Sequence, residues 1–250
     1  MINKGFRKYL SYCGHMLRLW KMPVFLGNTR PCVLWTAENV AVAAFLVSLI
    51  SFYRRMSLLL RTHIETMIKR QLSSSEYERL VHLLVRRRFD KHQLITEEGT
   101  DNRYICFMEQ GASYSYYTDD KGTRHAIQFA LENYWIADLY SFFSGKGAVY
   151  SIEALEASTV VMLSHAGYEI ICAEMPVFES YFLKLTQEAF IAVQYMLART
   201  KSVSAEERYH EFARLHPDFM QRIPQYLIAS YLGIKPQSLS RIRREQLIKR

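Results

Sequence analysis

The spacing of apolar residues changes along the chain and predicts where helices and strands lie. Apolar positions three and four residues apart predict a helix over residues 57–71, and Ser75 with Glu78 predicts a capping box for the next helix. After the basic run Arg86–Arg88, interpreted as a solvated face, short β-prone runs recur about every 8–12 residues and predict an antiparallel sandwich or barrel. Asp120-Lys121-Gly122 predicts a hairpin turn. The predicted strands are Gln93–Glu97, Arg103–Met108, Ala112–Tyr117, Arg124–Ala130, Ser151–Leu155 and Thr159–Leu163.

A long helix is predicted beyond Pro176, where apolar residues repeat at the alternating three- and four-residue steps of a heptad. Small Ala189 and Ala192 permit the close approach of a second helix, so we predict a homodimer seam. Packing of this helix on its own domain is the alternative. The predicted seam residues are Phe182, Leu185, Ala189, Ala192 and Met196.

The C-terminal residues predict two helices joined by a tight turn. Gly233 can adopt the positive φ of such a turn, Pro236 suits the first position of a helix, and Ala229 is small where the helices cross. The pattern is typical of a helix-turn-helix whose second helix enters the major groove of DNA. A helical hairpin with a basic, solvated face is the alternative. The predicted DNA-binding residues are Lys235, Gln237, Ser238, Ser240, Arg241, Arg243 and Arg244.

The composition is that of a folded protein with basic ends. Of the 250 residues, 50% are hydrophobic and only 16 are Gly or Pro, which excludes disordered, collagen-like and low-complexity chains. Within a formal net charge of +8, residues 1–55 hold eight basic residues and one acidic residue, and residues 220–250 hold seven and one. The body between them is mildly acidic. The basic C-terminal end therefore favours a polyanionic partner, here double-stranded DNA.

Residues 1–55 are interpreted as a separate N-terminal extension. Their uncharged run Asn39–Tyr53 is shorter than the about 20 apolar residues that a transmembrane helix needs. The extension is expected to derive from a start codon upstream of Met56 or to be poorly ordered. A membrane anchor through residues 31–53 is the alternative.

The sequence contains no recognisable catalytic or metal-binding motif. Cys13, Cys32, Cys106 and Cys172 include no close pair, so they predict neither a disulfide framework nor a zinc or iron–sulfur site. The sequence also lacks a nucleophile elbow, a phosphate-binding loop and a paired-histidine metal motif. We therefore expect no enzyme activity, no catalytic residue, no metal and no cofactor, and a location in the reducing cytoplasm.

Four stretches of the chain carry a family resemblance: residues 129–139, 150–156, 204–209 and 239–243. Together with the predicted order of helices and strands, they resemble the Crp/Fnr family of bacterial transcription regulators, in the subgroup common in Bacteroidetes. The resemblance implies an α+β fold. Its parts are an antiparallel β-roll (a cyclic-nucleotide-binding-like jelly roll) with flanking helices, a long dimerisation helix and a small all-α helix-turn-helix domain.

The resemblance also implies domain boundaries and partners. The β-roll sensor domain covers residues 56–176, the dimerisation helix residues 177–203, and the DNA-binding domain residues 204–250. A homodimer is expected to bind a palindromic operator, with RNA polymerase as a further candidate partner and an effector of unknown identity. The alternatives are a membrane-tethered or ligand-independent regulator, and a small-molecule-binding module without DNA binding.

The resemblance places a candidate effector pocket at Ala137-Asp138 and Tyr150-Ser151, where the sequence departs from the family. Members that bind cyclic AMP carry Gly-Glu at the first position, and Arg followed by Ser or Thr at the second. The missing arginine removes a charge-assisted contact to the cyclic phosphate. We therefore expect no tight binding of cyclic AMP. Gln237 stands where the family often has Glu, which changes the expected base preference.

Overall fold

The computed structural model describes residues 58–101 and 103–248, with the backbone alone for Pro236, Arg243 and residues 245–248. The predicted extension, residues 1–55, lies outside this range. Helix α1 is described over residues 58–68. The other helices are α2 (Ser74–Val81), α3 (Leu139–Ser144), α4 (His165–Glu174), α5 (Pro176–Ser202), α6 (Ala205–Leu215), α7 (Pro217–Arg222), α8 (Gln225–Tyr231) and α9 (Pro236–Ile248).

The strands form two four-stranded antiparallel sheets, as the alternating runs predicted. The first sheet has the order β1-β8-β3-β6 and the second the order β2-β7-β4-β5. The strands are β1 (Leu84–Phe89), β2 (Leu94–Thr96), β3 (Tyr104–Gln110), β4 (Ser113–Thr118), β5 (Arg124–Ala130), β6 (Trp135–Ile136), β7 (Ser151–Ala154) and β8 (Ser158–Ser164).

The predicted hairpin joins β4 to β5. Thr118 pairs with Arg124, and the carboxylate of Asp119 accepts the backbone N–H groups of Lys121 and Thr123 at 3.0 and 2.9 Å. Gly122 has a φ of +78°, which a side chain would disfavour. The turn is therefore closed by the predicted Gly122 and by Asp119, which directly precedes the predicted segment.

The start of α2 differs from the prediction. Its N-cap is Ser73, whose hydroxyl accepts the N–H of Glu76, while the Glu76 carboxylate accepts the N–H of Ser73. The capping box predicted at Ser75 and Glu78 is therefore wrong by two residues. In both the predicted and the observed box, a glutamate follows a serine by three residues. The observed pair is favoured by Arg70, which donates two hydrogen bonds to Glu76.

Several elements were missing from the prediction, among them two strands and a short helix. Strand β1 contains Arg86–Arg88, which the sequence analysis interprets as a solvated face. The strand pairs with β8 along its whole length, and Arg86 forms an ion pair with Glu109. Strand β6 has only two residues, and α3 has six. Elements this short have too few residues to show a period, and β1 is fixed by pairing with a distant strand.

The two sheets enclose an apolar cluster of side chains. Every strand except β4 contributes to this cluster, which contains Phe89, Ile95, Cys106, Met108, Ala130, Ile136, Ile152, Ala154, Val160 and Met162. The neighbouring positions of β3 and β8 face outward and are buried under α1, α2, α4 and α5; examples are Phe107, Val161 and Leu163. The central strands β3 and β8 are thus buried on both faces, and the observed architecture is the predicted α+β fold.

The helices of the described region do not include a membrane span. No helix within residues 58–101 and 103–248 combines the length and the hydropathy that crossing a bilayer requires. The segment proposed as an alternative anchor, residues 31–53, lies outside the described residues.

Candidate nucleic-acid interface and effector region

Helices α8 and α9 are joined by a Schellman turn. The N–H of Gly233 donates to the carbonyl of Ser230 at 3.1 Å, and the N–H of Ile234 donates to the carbonyl of Ala229 at 2.8 Å. Gly233 has a φ of +64°, the conformation that favours glycine at this position. The turn predicted from Gly233 is therefore present, and it sets the angle between the two helices.

Apolar side chains hold α9 against α8 and fix which face is exposed. Leu239 and Ile242 of α9 are 4% and 3% exposed and lie in one cluster with Ile228, Ala229 and Leu232. Because these positions face inward, the remaining faces of α9 point to solvent. Ala229 is fully buried, as expected where two helices cross closely.

Most residues predicted to bind DNA lie on the outer faces of α9 or just before it. Ser238 is half-buried, and the side chain of Arg243 is outside the described part of the chain. The exposed ones are Lys235, Gln237, Ser240, Arg241 and Arg244. The structure thus brings two arginines and a glutamine together on one exposed helix.

The C-terminal helices dock on the edge strand β5. The N–H of Ala126 donates to the hydroxyl of Ser230 at 3.0 Å, so a side chain of α8 satisfies a backbone donor of the sheet edge. The guanidinium of Arg222 binds Glu132 with two hydrogen bonds, of 2.5 and 3.0 Å, and also contacts Glu156. These ion pairs raise the pKa of Arg222. The sequence analysis missed this docking because its partners are far apart in the chain.

The predicted dimer seam on α5 faces the chain's own body at its N-terminal end. Phe182 is 4% exposed and Leu185 is half-buried, both packed against the helices over the first sheet. This placement corrects the prediction for these two residues, which are committed to their own core. Ala189 and Ala192 are exposed but line a cavity on the same side of α5, and Met196 is half-buried.

A second row of apolar residues lies on an adjacent, exposed face of α5. Leu183, Phe190, Val193 and Leu197 are 58%, 62%, 58% and 51% exposed. Their spacing of seven, three and four residues is also that of a heptad seam. Both faces of the helix are apolar, and periodicity alone could not tell which one is covered by the chain itself.

The carboxylate of Asp138 is the centre of the predicted effector region. It is 2% exposed and caps α3, with one oxygen accepting the N–H of Ser141 at 3.1 Å. Its other oxygen accepts the N–H groups of Val149 and Tyr150 at 2.6 and 3.0 Å. The side chain therefore ties the start of α3 to the loop before β7.

The other predicted effector residues surround this carboxylate along the chain. Ala137 and Tyr150 are half-buried, and Ser151 is 6% exposed. The hydroxyl of Ser151 accepts the N–H of Glu98 at 3.1 Å. The region is thus built from backbone donors and short side chains that already have partners within the chain.

Comparison with known families assigns the β-roll. Residues 86–174 match the family model of the cyclic nucleotide-binding domain. The chain contains a cyclic nucleotide-binding domain. A comparison with curated proteins finds no match.

Solved structures share the arrangement of this domain and the helices that follow it. The chain is similar to the c-di-GMP responsive global regulator CLP from Xanthomonas campestris, with a TM-score of 0.57 and 10% identity over 71% of this chain and 93% of that one. It is similar to FixK2 from Bradyrhizobium japonicum, with a TM-score of 0.56 and 18% identity over 66% and 85%. It is also similar to a putative Crp/Fnr regulator from Eubacterium rectale, with a TM-score of 0.56 and 16% identity over 71% and 85%. These similarities show a Crp/Fnr-type fold.

In this cyclic nucleotide-binding domain, the carboxylate of Asp138 accepts hydrogen bonds from backbone N–H groups that could otherwise bind a ligand anion. Backbone N–H groups at a helix start and in a loop are a common phosphate-binding arrangement. Here the N–H groups of Ser141, Val149 and Tyr150 all donate to Asp138. A phosphate entering this loop would have to displace a buried carboxylate, and Tyr150 offers it no positive charge.

The Asp138→Ala substitution is expected to loosen the loop before β7. It leaves one buried and two partly buried backbone donors without their acceptor, which is expected to lower the free energy of unfolding by about 1–3 kcal/mol. Hydrogen exchange is expected to accelerate at the amides of Val149 and Tyr150. Denaturant titration and hydrogen-exchange mass spectrometry measure the two effects. The control is Asp90→Ala, which removes an exposed carboxylate and is expected to change neither. Unchanged exchange at these two amides in Asp138→Ala would contradict the assigned role.

Proposed function

We propose that the protein is a DNA-binding transcriptional regulator of the Crp/Fnr type. In this proposal α8 and α9 are a helix-turn-helix, two copies of the chain associate through α5, and the dimer binds a palindromic operator in the cytoplasm. The fold shared with Crp/Fnr-type regulators supports the proposal. Two of the similar solved structures are named as regulators, which supports a regulator rather than an enzyme.

The observation that carries this proposal is the exposed face of α9. Gln237, Arg241 and Arg244 are exposed while Leu239 and Ile242 are buried, so α8 supports α9 from behind and leaves its long polar side chains accessible. Arginine and glutamine can make bidentate hydrogen bonds to base edges in the major groove. Lys235 and Ser238, at the start of the helix, suit the phosphate backbone.

Dimerisation is proposed through the exposed apolar face of α5. Leu183, Phe190, Val193 and Leu197 leave more than half of each side chain in water, which a second copy of the helix would cover. A parallel pair of such helices brings two copies of α9 to one side of the dimer. A two-fold symmetric protein then reads two half-sites of opposite direction, which is the reason to expect a palindromic operator.

The cyclic nucleotide-binding domain is proposed not to bind cyclic AMP tightly. Asp138 already accepts the backbone donors of the loop, and Tyr150 stands where the resemblance places a phosphate-binding arginine. The interior between the sheets is filled by side chains such as Ile152 and Met162. The domain therefore transmits either no signal or one from a ligand that binds elsewhere.

The Arg241→Ala substitution tests the recognition helix. The operator is first selected by the wild-type protein from random double-stranded DNA, and binding is then measured by fluorescence anisotropy at fixed salt. The substitution is expected to weaken binding by about 1–3 kcal/mol, roughly 5- to 150-fold in Kd, and to relax preference at one base pair of each half-site. Arg214→Ala removes the same charge from α6, outside α9, and is expected to have little effect. Equal affinity and preference for wild type and Arg241→Ala would overturn the assignment.

The Phe190→Glu substitution tests the proposed dimer face. Two buried carboxylates facing each other across the seam are expected to dissociate the dimer, because desolvating unpaired charges is unfavourable. Analytical ultracentrifugation is expected to show a dimer for the wild type and a monomer for the variant. Leu58→Glu, at a residue of α1 that is also 62% exposed, is the control and is expected to remain dimeric. A Phe190→Glu protein that stays dimeric places the interface elsewhere.

Isothermal titration calorimetry tests the response to cyclic AMP. The nucleotide is expected to produce no binding heat at concentrations up to about 1 mM, since its phosphate lacks both a free cradle and a positive side chain. Operator binding measured in its presence is expected to be unchanged. Micromolar affinity, or a shift in operator affinity upon addition, is the result that contradicts this prediction.

A further inference from the structure

A cavity of about 650 Å³ lies outside the interior between the sheets. Its walls come from α1, the segment around β6, α3, α4, α5 and the C-terminal helices α6, α7 and α8. The volume falls in the range of sites that enclose a small organic molecule. Ala137 and Leu139, on either side of Asp138, line the cavity, whereas Asp138 itself, Val149 and Tyr150 do not.

Aromatic side chains from two parts of the molecule line the cavity. Trp135, Tyr168 and Phe182 belong to the cyclic nucleotide-binding domain and α5, and Phe212, Phe219 and Tyr231 belong to the C-terminal helices. Trp135 is held in place because its indole N–H donates to the hydroxyl of Tyr181 at 2.8 Å. Aromatic rings offer flat apolar surfaces, so these walls suit a ligand that contains rings itself.

One part of the wall is polar. His63 lies there, and its Nε2 atom is buried without a hydrogen-bond partner. Burial lowers the pKa of His63, while the nearby carboxylate of Glu188 and a hydrogen bond with Asn133 oppose that effect. The unpartnered Nε2 atom can therefore exchange a hydrogen bond with a ligand group.

The charges of the lining exclude one class of ligand. Glu132 and Glu188 line the cavity, and none of the lining residues that the structure describes is Lys or Arg. Glu132 is already bound to Arg222, whereas Glu188 is exposed on α5. An anionic ligand would be desolvated beside a carboxylate without a compensating cation, which is unfavourable.

We propose that this cavity binds an uncharged, ring-containing apolar molecule that places a hydrogen-bonding N–H or O–H group near Glu188 and His63. The aromatic walls provide the apolar contact, and the two polar side chains orient the molecule. The inference concerns binding alone, so it stands or falls independently of DNA recognition by α9.

Two fluorescent probes with the same ring skeleton test the charge selectivity. N-phenyl-1-naphthylamine is neutral and carries one N–H, and 8-anilinonaphthalene-1-sulfonate adds a sulfonate to that skeleton. The full chain is expected to bind the neutral probe with one site per chain, a blue-shifted emission and a Kd at least about tenfold lower than that of the sulfonate. Equal or tighter binding of the sulfonate would overturn the proposal. So would the absence of neutral-probe binding, which would mean that a second copy or residues 1–55 fill the cavity.

Substitutions on α5 locate the probe. Ala189→Trp places an indole in the cavity and is expected to weaken neutral-probe binding at least about tenfold, whereas Ala198→Trp lies on the opposite side of the helix and is expected to leave it unchanged. Unchanged binding by Ala189→Trp overturns the location.

Charge reversal gives a test that does not depend on filling the cavity. Glu188→Lys alters an exposed residue, so the variant is expected to fold, and it is expected to shift the ratio of the two Kd values towards the sulfonate at least about tenfold. Gln187→Lys adds the same charge at the next position, which does not line the cavity, and is the matched control. Equal ratios in the two lysine variants overturn the proposed orientation towards Glu188.

Discussion

The burial of β3 and β8 on both faces is the constraint on which the rest of the structure depends. Cys106 and Met108 of β3 face the interior between the sheets, and Ile105 and Phe107 face the helices above. A strand that is apolar on both sides needs a cover on each. The second sheet supplies one cover, and α1, α2, α4 and the start of α5 supply the other. The position of α5 is therefore a consequence of covering this sheet.

This constraint explains why α5 has two different parts. Phe178, Tyr181 and Phe182 are buried in the helical cover, so the first turns of the helix belong to the cyclic nucleotide-binding domain. Beyond Leu185 the helix extends past the sheet, and its side chains are mostly exposed. The same geometry creates the cavity, because the aromatic residues of the C-terminal helices reach α5 only where it has left the sheet. One helix thus serves as a core element, a cavity wall and the proposed dimer face.

The sequence predicted those features that depend on local patterns. Alternating strands, the hairpin at Asp119–Thr123, the long helix and the turn at Gly233 each arise within a short segment whose residues determine it. The prediction was wrong where the structure of a segment depends on residues that are distant in the chain. Strand β1 has three consecutive arginines and becomes a strand because β8 pairs with it, and the choice of face on α5 depends on which side the sheet occupies. The cavity could not be predicted, since its residues are scattered over most of the described chain.

The candidate sites show the same division between local and distant causes. Gln237, Arg241 and Arg244 are exposed on α9, because two buried positions and a glycine fix the helix locally, and their contacts with DNA stay a prediction. Asp138 was named from a family resemblance, but its three backbone partners became visible only in three dimensions. The sequence has Tyr150 where the resemblance places an arginine. The structure adds that the backbone N–H groups of this region already donate to Asp138.

The C-terminal helices and the cyclic nucleotide-binding domain share one buried apolar cluster, in which Tyr114, Phe129 and Leu131 lie with Phe212, Phe219 and Leu227. Arg222 with Glu132 and Glu156, and Ser230 with the edge of β5, add polar contacts, and half-exposed ion pairs of this kind contribute about 1 kcal/mol or less each. Part of the apolar contact lies at the cavity, where Phe129 packs on Phe219 and Tyr231. Filling the cavity would add apolar contact to both sides of this boundary at once. A molecule bound there would therefore contact the cyclic nucleotide-binding domain, α5 and the C-terminal helices together.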